Sequence, residues 1–391
     1  MENTTSHRRS LLLVLAVCAA LGAVAVTWWL LDRPLGVDSA VYRAAGSAIL
    51  RGEPLYDHLT ALPDWTPDLP FTYPPFAALL FTAGTALPPQ LWWGVLAMAA
   101  PLAVYLVLRA FPSRPLPVLL LGACCLQPVW QSVGLGQLNL VLMALVVLDV
   151  LVLKGSRYCG IAIGLAAAIK LIPLIFIVHL LVTGRRADAL RALATFASAS
   201  ALALLVLPGD TVRYLTTGMF NDHFAAGKSW VGNQSWQGFL ARTVPDGWAP
   251  PLTVLFVAVC AAATAFLVRR LYRAGDERAA LLVTAGCSVL VSPISWTHHW
   301  VWVVPALSYL LARRRMWQAV AVATVYTGWT TAVVPGGGGR EHGWTFAQAL
   351  VGNAYLISAV LAGAVLLRKF FRERTTSVPL RELPLRSPGA E

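Results

Sequence analysis

Apolar runs near the length of a membrane span recur along this chain, and short basic segments close most of them. A helix needs about 20 mostly apolar residues to cross a hydrocarbon core of about 30 Å. With no water in that core, the backbone must satisfy its own hydrogen bonds. Of the 391 residues, 58% are hydrophobic and 12% charged, where a soluble domain usually carries about twice that charge. Mean hydropathy is +0.66. The chain therefore reads as an all-α polytopic membrane protein. A net charge of +12 raises nucleic acid as a partner. The basic residues, however, crowd the short loops, which is a signature of topology rather than of a groove. No nucleic-acid partner is expected.

Arg8 and Arg9 place the N-terminus in the cytoplasm, and residues 11–31 form the first span. Ala23-Val24-Ala25 resembles a signal-peptide cleavage site. The run is too long for a signal h-region, though, and continues through Trp28-Trp29, so it reads as an uncleaved span. Residues 75–87, lying between Pro-Pro pairs, are too short to cross and suit an interfacial or re-entrant piece. Spans follow over 91–108, 117–130 and up to 153, with a polar turn at 131–139. The runs 158–182 and 279–311 have basic residues at both ends. Parity then demands two spans in each, the first pair broken near Lys170 and Pro173, the second turning at 292–299. Four more spans, over 190–207 and ending near Arg270, Pro335 and Lys369, bring the total to about 12, with both termini cytoplasmic. Residues 1–370 form one transmembrane domain in the plasma membrane, and 371–391 a disordered cytoplasmic tail. The six cysteines lie in hydrophobic segments without zinc spacing, so neither disulfides nor metal sites are expected.

The first outer loop, residues 31–73, holds Asp38, Glu53, Asp57, Asp64 and Asp68 in a chain otherwise short of acid. Val37, Val41, Ala45, Ala48 and Ile49 recur at helical spacing. The spacing predicts an amphipathic helix lying against the membrane, starting at Asp38 and stopped by Gly52-Glu53-Pro54. The other outward polar groups are Gln131, Gln137 and Asn139, then Lys228, Asn233, Gln234, Trp236 and Arg242, then Trp296, His298 and His299. The cytoplasmic loops hold mainly Arg. Chemistry therefore faces outward, away from ATP and nucleotide sugars. No phosphate-binding glycine motif is present, since Gly134-Leu135-Gly136 lacks both the strand and the third glycine. An outward-facing membrane enzyme draws its activated substrate from the lipid.

Several blocks together resemble glycosyltransferase family 87. They are Asp38-Ser39-Ala40-Val41-Tyr42, Leu55-Tyr56-Asp57, Phe71-Thr72-Tyr73-Pro74-Pro75-Phe76, Gly136-Gln137-Leu138-Asn139, Ala168-Ile169-Lys170-Leu171-Ile172-Pro173 and Ser292-Pro293-Ile294-Ser295-Trp296-Thr297-His298-His299. This is a family of polyprenol-phosphate-mannose-dependent α-1,2-mannosyltransferases. The resemblance implies a C-type glycosyltransferase bundle with an acidic first outer loop. It also implies a polyprenyl-phosphate-mannose donor, a glycolipid or lipoglycan acceptor, and inversion with a single base.

Polyprenyl phosphate is a good leaving group, so the acceptor hydroxyl is the atom that needs help, from a carboxylate within hydrogen-bond reach. Asp38 is the first candidate for that base and Asp57 the second; capping the loop helix is the competing job for Asp38. Lys170, a charge inside an apolar run, suits the donor phosphate, against snorkelling to an interface. His298 and His299 suit the phosphate or acceptor, against membership of an aromatic belt with Trp300 and Trp302. Neighbouring helical residues point about 100° apart, so one of the two enters the site. Arg242 suits the phosphate, against interface anchoring. Tyr42, Gln137, Asn139, Asn233, Gln234 and Trp296 suit sugar and acceptor, against ordinary turn chemistry. No cofactor is implied, and metal dependence stays open. An arabinofuranosyl donor is the nearest rival. A lipid or solute transporter is the rival of another class, and predicts polar groups through the midplane and on both faces.

Overall fold

The computed structural model describes residues 2–111, 116–218 and 227–376. Among them every regular element is helical. In order these are α1 (Glu2–Leu30), α2 (Val37–Arg51), α3 (Pro75–Phe81), α4 (Pro89–Ala110), α5 (Leu116–Cys124), α6 (Gln127–Leu135), α7 (Asn139–Val147), α8 (Ile161–Ile169) and α9 (Ile175–Val182). Then come α10 (Arg186–Val206), α11 (Pro208–Arg213), α12 (Trp236–Thr243), α13 (Ala249–Arg273), α14 (Glu277–Val291), α15 (Val303–Ala312), α16 (Met316–Thr327), α17 (Phe346–Gly352) and α18 (Ala354–Thr376). The last helix runs past residue 370, where the expected tail begins; residues 377–391 of that tail lie outside the described residues.

The helices do not deliver twelve simple spans. Among the described residues four are, by length and composition, long and apolar enough to cross a membrane: α1, α4, α10 and α13. The pairs α5–α6, bent by 63°, and α17–α18, bent by 75°, extend that to six. The rest of the apolar sequence is cut into shorter helices where polar residues and prolines interrupt it. The segment expected to hold two short spans, 158–182, shows why. Its helices α8 and α9 have 9 and 8 residues, about 14 Å at 1.5 Å per residue, roughly half a hydrocarbon core. Their outer ends meet. Arg185, just after α9, donates to Val150 O at 2.9 Å and Cys159 Sγ at 2.7 Å, and Gly160 lies against Asp188 O of α10. The pair is therefore a hairpin with Lys170 and Pro173 at its apex. Asp149 secures the hairpin's base, accepting from Gly160 N at 2.6 Å and Ile163 N at 2.8 Å; these N–H groups open α8 and have no partner within the helix.

A second hairpin is built from α14 and α15. Asp276, which caps α14, accepts from Tyr309 Oη at 2.6 Å and Arg313 Nη2 at 2.5 Å. The two helices thus close at one end and turn at residues 292–299 at the other. The base of this hairpin also meets α4, because Arg278 donates to Ala110 O and Ser308 to Phe111 O. Lys154 pairs with Glu277. One end of the bundle therefore gathers Lys154, Arg185, Arg278 and Arg313, and the two apexes point toward the other.

The loop helix differs from expectation in a way that matters for the site. A single helix, α2, forms in the first loop, and it is buried on almost all sides rather than lying on a membrane surface. Its small residues Ala44, Ala45, Gly46, Ser47 and Ala48 permit this. A Cβ on Gly46 would sit 2.5 Å from Phe81 O, so α2 packs backbone-close against the α3 segment. The polar turn expected at 131–139 is shorter too. Pro128 in its first turn starts α6, which runs to Leu135, and Gly136 in the left-handed conformation (φ 73°) ends it.

Candidate active site

Five separate stretches converge at the apex end of the bundle: the start of α2, the strap before α3, the α6–α7 turn, and both hairpin apexes. Two glycines make the first meeting possible. Gly36 (φ 73°) precedes α2 and Gly136 (φ 73°) follows α6; a Cβ on either would fall within 3 Å of both Ser39 and Trp93. Trp93 in turn donates to Val133 O at 2.7 Å. The α2 N-terminus is thereby pressed onto the α6–α7 turn.

Asp38 lies in the first turn of α2 but does not cap it. The N-cap is Gly36, and no side chain caps the helix. The carboxylate instead accepts from Gln137 Nε2 at 2.6 Å. Gln137 Oε1 accepts from Tyr73 Oη at 2.9 Å. Tyr73 Oη also takes a hydrogen bond from Lys170 Nζ at 3.2 Å and meets Tyr42 Oη at 2.7 Å. Its own proton goes to Gln137, so Tyr42 donates. Lys170 donates further to Asn139 Oδ1 at 3.0 Å and faces His299 Nε2 at 3.3 Å. A charged Lys170 makes that nitrogen the acceptor and puts the ring proton on Nδ1. Asn139 Nδ2 donates to His298 O at 3.0 Å, fixing the second apex. The His298 ring is buried, and its Nε2 has no hydrogen-bond partner among the described residues.

The charges in this chain are set unusually. Burial pushes the Asp38 carboxyl above the usual carboxylate range; the Gln137 hydrogen bond and the charge on Lys170 pull it back in part. No carboxylate among the described residues lies within ion-pair distance of Lys170. Its neighbours are the Tyr73 ring, with the ammonium 5.1 Å from the centroid, and three neutral polar atoms. A crevice of about 40 Å³ opens beside it, walled by Leu142, Met143, Phe176, Val289 and Trp302. The arrangement links a carboxylate, through Gln137 and Tyr73, to an ammonium that borders an apolar crevice.

The remaining candidates do not join this cluster. Asp57 is exposed and pairs with Arg213 at 2.7 Å, which holds its carboxyl below the usual range. Arg242 is buried among Trp230 O, Asn233 O and Asn353 Oδ1 and braces the 229–233 loop. Asn233 and Gln234 clamp that loop to the second apex. Asn233 Oδ1 accepts from Ser295 N, Gln234 N donates to Ser295 O, and Asn233 forms an isolated bridge with Trp296. The Trp296 ring packs 5.3 Å from that of Trp230. Tyr42 is fully covered and reaches the cluster only through Tyr73. Tyr73 itself is absent from the residues singled out as candidates, although it stands in the quoted Phe71–Phe76 block. Its position before a Pro-Pro pair, which holds the chain extended, was the available signal.

Residues 71–293 match the profile of Glycosyltransferase family 87. The chain is 33% identical over 346 residues to a Mycobacterium tuberculosis protein, with 81% of each chain covered. That protein is named polyprenol-phosphate-mannose-dependent alpha-(1-2)-phosphatidylinositol mannoside mannosyltransferase. The chain belongs to glycosyltransferase family 87. A second Mycobacterium tuberculosis relative, named as the corresponding phosphatidylinositol pentamannoside mannosyltransferase, is 33% identical over 318 residues, covering 77% of this chain and 71% of its own. Among solved structures, ArnT from Cupriavidus metallidurans bound to undecaprenyl phosphate aligns over 92% of this chain and 72% of its own, at a TM-score of 0.44 and 16% identity. With its apolar, membrane-length helices, this family 87 chain is a multi-pass membrane glycosyltransferase. The matched region contains Tyr73, Gln137, Asn139 and Lys170; Asp38, His298 and His299 lie outside it.

Proposed function

We propose that the enzyme transfers mannose from polyprenyl-phosphate-mannose to a hydroxyl of a mannosylated glycolipid or lipoglycan, in α-1,2 linkage and with inversion, at the outer face of the membrane. The observation that carries this reading is Lys170. A buried ammonium is costly unless something anionic meets it, and among the described residues no carboxylate lies within ion-pair distance, Asp38 acting on it only from beyond contact. A donor phosphate seated against Lys170, with its polyprenyl chain along the apolar crevice, meets that charge. His299 or the open Nε2 of His298 supplies a further contact. The names of the relatives support mannose as the sugar.

Asp38 then acts as the base. It takes the proton of the acceptor hydroxyl as that oxygen forms its bond to the anomeric carbon. The carbon–oxygen bond to the phosphate breaks, and the polyprenyl phosphate leaves as an anion beside Lys170. Gln137 and Tyr73 hold the two ends of this arrangement at a fixed separation, as a single displacement requires. The basic residues gathered at the far end of the bundle favour a cytoplasmic placement for that end and for both termini.

Purified protein in proteoliposomes tests the reading. Radiolabelled mannosyl phosphopolyprenol and a phosphatidylinositol mannoside acceptor yield a labelled product that α-1,2-mannosidase trims. Label transferred from an arabinofuranosyl donor and not from the mannosyl one overturns it, as does donor translocation without a glycosidic product.

A further inference from the structure

A second and larger cavity, about 410 Å³, lies on the other side of the second apex and takes no part in the Asp38–Lys170 chain. Its walls include Gln127 and Gln131 of α6, Thr297 of the apex, Trp230, Trp329 and Arg340. That volume falls within the range of small-molecule sites. We infer that this cavity is an acceptor subsite, holding the sugar rings that precede the hydroxyl under attack. The enzyme would therefore recognise a short glycan rather than one terminal sugar. The inference rests on the glycosyl-transfer reading of the Asp38 centre.

Three observations carry it. The first is wall chemistry. Two indoles offer flat apolar faces, onto which the C–H face of a pyranose ring stacks, and the Gln131 amide serves ring hydroxyls, whereas the Gln127 amide is held by Thr331 and Tyr355. Gln131 Oε1 accepts from Thr297 Oγ1, and among the described residues nothing takes the Gln131 amide protons. No carboxylate lines the cavity, so nothing there repels a neutral or phosphorylated glycan.

The second is the backbone of Trp329. It stands at φ 47°, a left-handed conformation that bulky residues rarely adopt. The large side chain is kept where glycine would sit without strain, and its indole faces the cavity. Trp230, on the same cavity, is 45% exposed, so part of its indole is open to a sugar ring while another part packs on Trp296.

The third is place. Gln127 and Gln131 are one turn apart on α6, and the same helix ends at Gly136, next to the Gln137 that bonds Asp38. From Gln131 to the end of α6 at Leu135 is roughly 6 Å of helix, and Gln137 follows directly after Gly136. Thr297 of the cavity wall immediately precedes His298. A glycan whose inner rings occupy the cavity would extend its terminal hydroxyl along α6 toward the Gln137–Asp38 pair.

An acceptor-length series tests this directly. Octyl α-mannoside and its α-linked di- and trisaccharide homologues are assayed with mannosyl phosphopolyprenol. The wild-type KM should fall with each added ring. Trp329→Ala and Trp230→Ala should each raise the trisaccharide KM about tenfold, leave the monosaccharide KM unchanged, and keep the affinity for undecaprenyl phosphate. A general folding defect moves all three. Trp329→Phe, which retains an aromatic face, should recover part of the length dependence. Transfer by the wild type with a KM indifferent to acceptor length overturns the subsite alone. Failure of the wild type to use the mannosyl donor overturns the donor reading and the subsite with it.

Discussion

Lys170 and His299 stand 3.3 Å apart although each belongs to a different helical hairpin. Each hairpin turns at a proline-containing apex, and neither apex completes the cluster alone. The pairing joins two halves of the bundle at one point, where the ammonium has neutral neighbours only. Lys170→Met should therefore lower the affinity for undecaprenyl phosphate by about 10- to 100-fold, the worth of a charge-assisted hydrogen bond. Equilibrium binding to the detergent-solubilised protein measures it. Unchanged affinity would remove the phosphate from this position.

Asp38→Asn keeps the shape of the side chain and removes the base. Transfer should fall by about 10²- to 10⁴-fold, the usual contribution of general base catalysis, while undecaprenyl phosphate still binds. Asp57→Asn makes the contrasting variant. Its carboxylate is exposed and engaged by Arg213, and exposed ion pairs contribute little to stability. The Asp57 variant should retain transfer within about twofold. Initial rates for the two variants, normalised to folded protein, separate the roles; equal losses would put both carboxylates in the mechanism.

The raised Asp38 carboxyl fixes the sign of the pH dependence. The base works only when ionised, so kcat/KM should decline as pH falls through a value above the model-peptide Asp of about 3.9. Stability runs the other way. A carboxyl raised on folding contributes stability that is complete below its unfolded value and is lost as pH rises through the folded one. The acid limb should therefore appear in the rate without a loss of Tm attributable to Asp38, and it should vanish from the residual rate of Asp38→Asn. An unchanged acid limb in that variant would assign it to another group.

Much of this site was legible in the sequence because its parts sit at interruptions. Lys170 breaks an apolar run, and His298 and His299 follow Pro293. Asp38 opens a small-residue helix after a span. Spans α1, α4, α10 and α13 were legible for the same reason, as long apolar runs between polar ends. Two things were not. Parity placed the turn near Lys170 and Pro173, but hydropathy did not show how short the two arms are, 9 residues in α8 and 8 in α9. Long-range partners were equally hidden. Asn233, Gln234 and Arg242 look like ligand-binding groups in a polar loop, yet each is occupied by backbone carbonyls or amides from Ser295, Val231 or Trp230. Tyr73 lies 64 residues from Gln137 and 97 from Lys170, separations that no local periodicity reports.

The approach of α2 to the α6–α7 turn depends on Gly136, which gives the last prediction. At φ 73° a side chain there is strained, and its Cβ would stand 2.6 Å from both Ser39 Cβ and Ser39 Oγ. Neither neighbour is the far end of a flexible chain, so the turn itself must move away from α2. Gly136→Ala should lower stability by about 1–3 kcal/mol and, by drawing Gln137 off Asp38, reduce kcat more than donor affinity. The companion Gly134→Ala has no heavy atom within 4 Å of its Cβ and lies inside α6, where alanine is the better helix former. It should leave the rate intact and match or exceed the wild-type Tm. Thermal unfolding and initial rates for the pair decide the matter. If Gly136→Ala transferred mannose at the wild-type rate, the contact between the α2 N-terminus and this turn would not be what positions Asp38.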